Sequence, residues 1–144
     1  MMNLQDKYIC FGKWSCLAQC YIYAALHNIA SVEERENKDF MESMVNSILL
    51  AAFSDKSLLD DECTVLDGAE LMNRVSDKKY RVEKLENISS ALELPMGYAA
   101  VRFDSGDNSH WVLFKDQKQL YNSLAFSNCV TYGKIAAARV IYEL

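Results

Sequence analysis

Hydrophobic and polar residues change their spacing along the chain, and the change predicts helices first and strands afterwards. The segment Cys16–His27 is rich in Ala and Leu and is apolar on nearly every side, which is typical of a helix buried inside a domain. Ser15 precedes it, where a helix N-cap is expected. We therefore predict a buried helix in the first quarter of the sequence.

A second helix is predicted downstream from a capping signal and from apolar spacing. The tetrapeptide 31–34 has the Ser-x-x-Glu form of a capping box. Apolar residues then recur at intervals of three and four, as Phe40, Met44, Ile48 and Ala51. This pattern predicts one amphipathic helix.

The middle of the chain carries weaker signals. Asp67, with a Glu three residues later, predicts a short third helix that ends near Ser76. Short strands are expected at Cys63–Leu66 and Tyr80–Leu85.

Beyond Gly97 the period becomes two and β-branched and aromatic residues dominate, which indicates strands. The predicted strands are Tyr98–Phe103, His110–Phe114, Leu120–Asn122 and Ala138–Tyr142. Turn-forming residues separate them, so the sheet should be antiparallel. The expected fold class is α+β, with the buried N-terminal helix packed on one face of a C-terminal sheet.

Composition indicates one domain over residues 1–144. The length suits a single core, and with one Pro and five Gly the chain contains no linker or repeat. The net charge of −5, with most of the acidic excess in the first half, argues against a surface that binds nucleic acid. Nothing in the composition indicates a particular oligomeric state.

Two further observations bear on location. No apolar stretch reaches the roughly 18 residues that a membrane span needs. The segment Met1–Tyr8 lacks the basic and apolar pattern of a signal peptide, so a cytoplasmic location is the expectation.

The five cysteines are Cys10, Cys16, Cys20, Cys63 and Cys129. An odd number without an export signal predicts free thiols rather than disulfides. Their spacing contains no CxxC pair, so the usual zinc signatures are missing and no cofactor or metal is expected.

Cys16 is the best candidate for a reactive group. It follows the expected N-cap, where free N–H groups and the helix dipole favour a thiolate, which is the nucleophilic form of cysteine. Lys13 adds a positive charge nearby. Cys20, one turn further into the apolar helix, is a rival, but burial there should raise its thiol pKa.

His110 and Asn122 are the candidate partners of this thiol. His110 begins an apolar strand and can act as a base. If the two strands pair around Asp116, Asn122 faces His110 and can orient its ring. A two-residue turn at 116–117 would put Asn122 on the opposite face, because a slip of one residue reverses every side chain.

This combination resembles the papain-like cysteine peptidases. The order of a Cys at the start of a buried helix, a downstream His-Trp-Val-Leu strand and an Asn on the next strand is similar to theirs. The form is closest to the bacteriocin-leader-processing peptidases and to small relatives found in spirochaetes and phages. The resemblance implies that Cys16 is the nucleophile, His110 the general base and Asn122 the orienting group.

The sequence departs from that family at two points. Relatives carry a Gln about six residues before the nucleophile as an oxyanion donor, and Cys10 occupies that position here. Leu17 and Ala18 follow Cys16 where small, Gly-Pro-like residues are usual. The backbone N–H of Cys16 remains as one donor, and losing a second lowers such rates by about 10²–10³.

Three functions follow as hypotheses. The first is a cysteine hydrolase, a peptidase or amidase, that acts on a peptide or protein substrate. The second is a papain-like binding or regulatory module with little or no activity. The third is a metal-binding or redox protein, since Cys16, Cys20, Tyr23 and His27 form one helical stripe that Cys10 could join, although such stripes usually pack in a core.

Overall fold

The computed structural model describes residues 15–123 and 128–144, and Cys10 and Lys13 lie outside these ranges. The helices are α1 (Cys16–Ile29), α2 (Val32–Glu36), α3 (Lys38–Phe53), α4 (Gly68–Asn73) and α5 (Asn128–Tyr132), with a 3₁₀ turn at Ala91–Glu93. The strands are β1 (Tyr80–Glu86), β2 (Tyr98–Ser105), β3 (Asn108–Lys115), β4 (Lys118–Tyr121) and β5 (Lys134–Glu143).

The five strands form one antiparallel sheet in the order β1-β5-β2-β3-β4. The N-terminal helices pack against it, which confirms the predicted α+β class. The last strand, β5, inserts between β1 and β2, so residues far apart in sequence become neighbours on the sheet.

Helix α1 lies at the centre of the main core. All ten residues from Ala18 to His27 are buried, between the sheet and α3. The opposite face of the sheet carries a second apolar cluster, whose members include Val101, Val112 and Phe114. In the described ranges no helix is long and apolar enough to cross a membrane.

The predicted second helix is in fact two helices. The capping box at Ser31 is present and starts α2, but Asn37 then ends α2 and caps α3 by accepting from the Phe40 amide. The apolar row identified in the sequence lies one residue away from the row that is buried, although Phe40 and Ile48 still pack against the core. The buried residues of α3 are Met41, Val45, Leu49, Ala52 and Phe53. Two adjacent rows of this helix are apolar, and spacing alone does not decide which one faces the core.

Asp67 caps α4 as predicted, since its carboxylate accepts from the Glu70 amide at 3.0 Å, but the helix ends at Asn73. The predicted strand at Cys63–Leu66 was wrong. Only one bridge forms there, between Leu59 and Val65. The Asp60 carboxylate accepts from two nearby amides and folds the segment into a turn instead.

Gly133 lies where α5 packs against the sheet, and a substitution there tests this packing. A Cβ at this position would overlap the carbonyl oxygen of Cys129 and would lie 2.6 Å from that of Asp104. Because backbone atoms cannot move aside, Gly133→Ala should lower the free energy of unfolding by about 2 kcal/mol or more. The control is Gly106→Ala, which meets open space at φ +59° and should lose about 1 kcal/mol. Urea denaturation measures both, and equal losses would contradict the argument.

His27 makes the stability of the fold depend on pH. Burial lowers its pKa to about 4, and Nδ1 shares a 2.6 Å hydrogen bond with the Tyr98 hydroxyl. Since the unfolded chain takes up this proton near pH 6.5, stability should fall as the pH drops from 6.5 towards 4, by at most about 1.4 kcal/mol per pH unit. We expect His27→Gln to remove this part of the pH dependence in thermal unfolding. His110→Gln, at the other histidine, should retain it.

Candidate active site

Cys16 is the first residue of α1 and opens on a cleft of about 870 Å³. The cleft lies between the start of α1, residues 63–69 and the sheet, and its lining includes Trp111 and Arg139. The thiol is half-buried and lies close to the backbone amide of Trp111, which acts to lower its pKa. That amide joins His110 to Trp111, so the sulfur lies beside the backbone of the candidate base.

Ser15 precedes α1 as predicted, but its side chain does not cap the helix. Its ψ is 8° rather than extended, and its hydroxyl instead accepts from Gln19 Nε2 at 2.9 Å. The N–H groups of the first turn are therefore not occupied by Ser15, and those of Cys16 and Leu17 interact with the sulfur.

The expected lowering of the Cys16 pKa was wrong in direction. Burial, the largest influence, raises the pKa of this thiol above its ordinary 9.0. The amides of Trp111, Leu17 and Cys16 lower it, as predicted for a helix start, but they do not outweigh desolvation. In the described molecule the resting form is a thiol, and a base must remove its proton during any reaction.

The turn between β3 and β4 has two central residues, Asp116 and Gln117, both with positive φ. Beside it Phe114 pairs with Gln119, a register that would put Asn122 on the face opposite His110. Leu113 pairs instead with Tyr121, so Leu120 is an extra residue in a β-bulge. The bulge returns Asn122 to the face that carries His110, so neither simple register considered from the sequence is the observed one.

His110 and Asn122 are in direct contact. The distance from His110 Nε2 to Asn122 Oδ1 is 2.6 Å, and the ring is buried, with 5% of its surface exposed. Because an amide oxygen only accepts, Nε2 carries the proton of the neutral ring and Nδ1 keeps its lone pair. The pair can therefore offer Nδ1 as a base in a fixed orientation.

The His110 ring does not hydrogen-bond to the Cys16 thiol among the described residues. Side chains alternate along β3, where Trp111 and Leu113 pack towards α1 and Val112 faces the second cluster. His110 projects to the face of Val112. Cys16 approaches the edge of β3 at the Trp111 amide, beyond the last paired residue of β4.

A buried polar chain ties the start of α1 to β4. The Tyr121 hydroxyl donates to Gln19 Oε1 at 2.9 Å, and Gln19 passes the chain on to Ser15. Tyr121 also stacks on Tyr23, with ring centroids 4.2 Å apart. These contacts join the residue before Cys16 to the residue before Asn122. Gln19 is the one side-chain amide in the apolar run Cys16–His27. Because buried amides need hydrogen-bond partners, this residue was the signal in the sequence for such a chain.

The other candidates of α1 belong to the core. Cys20 is fully enclosed, and burial raises its thiol pKa well above the ordinary value, as predicted. Tyr23 and His27 of the same stripe contact Tyr121 and Tyr98. No group of three His, Cys, Asp or Glu side chains suited to a metal gathers among the described residues.

A second groove, of about 750 Å³, lies on the other side of α1. It is lined by Gln19, Tyr121 and the acidic Asp39 and Glu42 of α3. The acidic side chains of α3 thus face this groove, whereas residues 63–69 border the Cys16 cleft.

Comparison with protein-family models, with curated proteins and with solved structures found no match to the chain.

The state of the Cys16 thiol can be measured by alkylation. We expect iodoacetamide to modify Cys16 faster than the buried Cys20, Cys63 and Cys129, with a rate that keeps rising above pH 9 because burial raises the thiol pKa. Mass spectrometry after digestion reports each site. His110→Ala should leave the pH profile unchanged. A midpoint below pH 8 that is lost in His110→Ala would instead reveal a thiolate–imidazolium pair.

Proposed function

We propose that this protein is a cysteine hydrolase of papain-like type, with Cys16 as nucleophile, His110 as general base and Asn122 as the group that orients the base. One observation carries the proposal. The Cys16 sulfur lies against the amide next to a histidine whose Nε2 is held by an asparagine at 2.6 Å. A nucleophile, a base and an orienting group are the parts that covalent catalysis requires.

The proposed reaction starts from a neutral thiol and a neutral imidazole. As Cys16 Sγ attacks the carbonyl carbon of a peptide or other amide, its proton passes to His110 Nδ1. The tetrahedral intermediate collapses to a thioester when the leaving amine takes that proton. Water then attacks the thioester with His110 as base, which releases the acid and restores the thiol.

The route needs Cys16 and His110 to approach more closely than in the free protein. Catalytic hydrogen bonds are often long or poorly aligned before substrate binds, and Cys16 already lies beside the backbone that carries His110. Substrate in the cleft would also exclude water from the site, which strengthens the interaction of the thiol with the base.

Developing charge on the substrate oxygen needs donors. The amides of Cys16 and Leu17 at the start of α1 are suited to this role, since Ser15 does not occupy them. The position where relatives carry a glutamine is Cys10, outside the described residues. With backbone donors alone, we expect slow turnover.

A second candidate is a binding module of the same fold without catalysis. The raised pKa of Cys16 and the missing hydrogen bond to His110 favour it. On this hypothesis the His110–Asn122 pair only fills the edge of the sheet, and the cleft binds a peptide without cleaving it.

Hydrolysis of a mixed library of fluorescence-quenched peptides separates the two candidates. We expect cleavage by the wild type, none above background by Cys16→Ala, and a fall in kcat of about 10²–10⁴ in His110→Ala because the general base is lost. Asn122→Ala should reduce kcat less, since it removes only the orientation of the ring.

Cys20→Ala and His27→Gln are the matched controls, one a neighbouring thiol and the other the second histidine. Both should retain cleavage. If no peptide is cleaved although the wild type binds peptides, the binding module is the better description. Cleavage that survives Cys16→Ala would exclude this nucleophile.

A further inference from the structure

The lining of the Cys16 cleft carries three hydrogen-bond donors from different elements. They are Arg139 on β5, Lys84 on β1 and the hydroxyl of Tyr21 on α1. Lys84 and Arg139 are Cα partners across the two strands, so both side chains rise from one place on the sheet. Among the described residues, neither the Lys84 ammonium nor the Tyr21 hydroxyl has a recorded hydrogen-bond or ion-pair partner.

The contacts of Arg139 use only part of the hydrogen-bonding capacity of its guanidinium. Its side chain is 15% exposed, and its guanidinium lies over the Trp111 ring, 5.0 Å from the centroid. Only Nη1 has recorded acceptors in the described residues, Glu86 Oε1 and the Ala138 carbonyl, each at 3.3 Å. Nε and Nη2 remain available on a planar group suited to a carboxylate.

The acidic residues of the cleft lining, Asp67 and Asp107, are exposed, and Asp67 is already engaged as the cap of α4. Lys84 is exposed as well, whereas the Arg139 side chain is mostly buried. Glu86, which pairs with Arg139, is 54% exposed, so an incoming anion displaces a weak surface contact. Burial raises the pKa of Tyr21, so its hydroxyl keeps its proton and can donate.

We propose that this cleft binds a carboxylate through Arg139, with Lys84 and Tyr21 as supporting donors. The substrates of Cys16 are then peptides with an acidic side chain or a free C-terminus close to the scissile bond. This substrate assignment rests on the proposed function, since it assumes that Cys16 acts on what the cleft holds. Trp111 connects the two parts, because its amide contacts Cys16 and its ring supports Arg139.

Binding can be tested without turnover in Cys16→Ala. The probes are Ac-Gly-Ser-Glu-Ser-Gly-NH₂, its Gln analogue, and the same Gln peptide with a free C-terminal carboxylate. Titrations followed by ¹⁵N NMR should shift the Arg139 Nε–H and Trp111 indole signals. We expect at least about tenfold tighter binding for one of the two carboxylate peptides than for the neutral one, and which of the two it is identifies the source of the carboxylate.

Three substitutions sharpen the test. Arg139→Gln should abolish the preference for the carboxylate, whereas Arg81→Gln, another arginine over an aromatic ring but outside the cleft, should not. Glu86→Gln should strengthen carboxylate binding severalfold, because it removes the competing acid, so the prediction does not depend on a variant that could fail to fold. Glu83→Gln on the same strand is its control.

The outcomes separate the two proposals. Equal binding of all three peptides, or a preference that survives Arg139→Gln, would overturn the carboxylate site even if the wild type cleaves peptides. Carboxylate-selective binding without any cleavage would retain the site and contradict the hydrolase. Cleavage of acidic and neutral library members at equal kcat/KM would likewise count against the substrate assignment.

Discussion

Burial of α1 is the interaction on which the rest of the structure depends. Ten successive buried residues leave this helix no orientation except between the sheet and α3. Its first residue is thereby fixed at the edge of β3, against the Trp111 amide. The same burial that positions Cys16 also raises its pKa, so in the proposed reaction the thiol depends on His110 for its activation.

The face of the sheet on which Asn122 lies determines whether it can contact His110, the proposed base. A tight turn with positive φ at both central residues brings β4 back in a register that turns Asn122 away from His110. One extra residue, Leu120, reverses the parity, and the 2.6 Å contact follows. The bulge also leaves Tyr121 facing α1, where it bonds to Gln19. With the bulge in place, Asn122 contacts His110 and Tyr121 contacts α1, the helix that carries Cys16.

The sequence is sufficient to predict a helix or strand where the signal for it is local. Period-two runs, the capping box at Ser31 and the Asp67 cap predict elements that the structure contains. The sequence does not predict which face of α3 is buried, because two adjacent rows of this helix are equally apolar. It also does not predict the bulge at Leu120, because the register of β4 depends on its pairing with β3. The insertion of β5 beside β1, which brings Arg139 to Lys84, leaves no local trace in the sequence.

The alternation of side chains along β3 explains how this one strand contributes both His110 and Trp111 to the candidate site. His110 and Trp111 are consecutive, so β3 must direct their rings to opposite faces. The imidazole then meets Asn122, while the indole forms a wall of the cleft beneath Arg139. A nucleophile on either face would reach only one of them. Cys16, the proposed nucleophile, instead lies at the edge of the strand beside the peptide group between the two residues, next to the cleft wall that Trp111 forms and beside the backbone of His110, the proposed base.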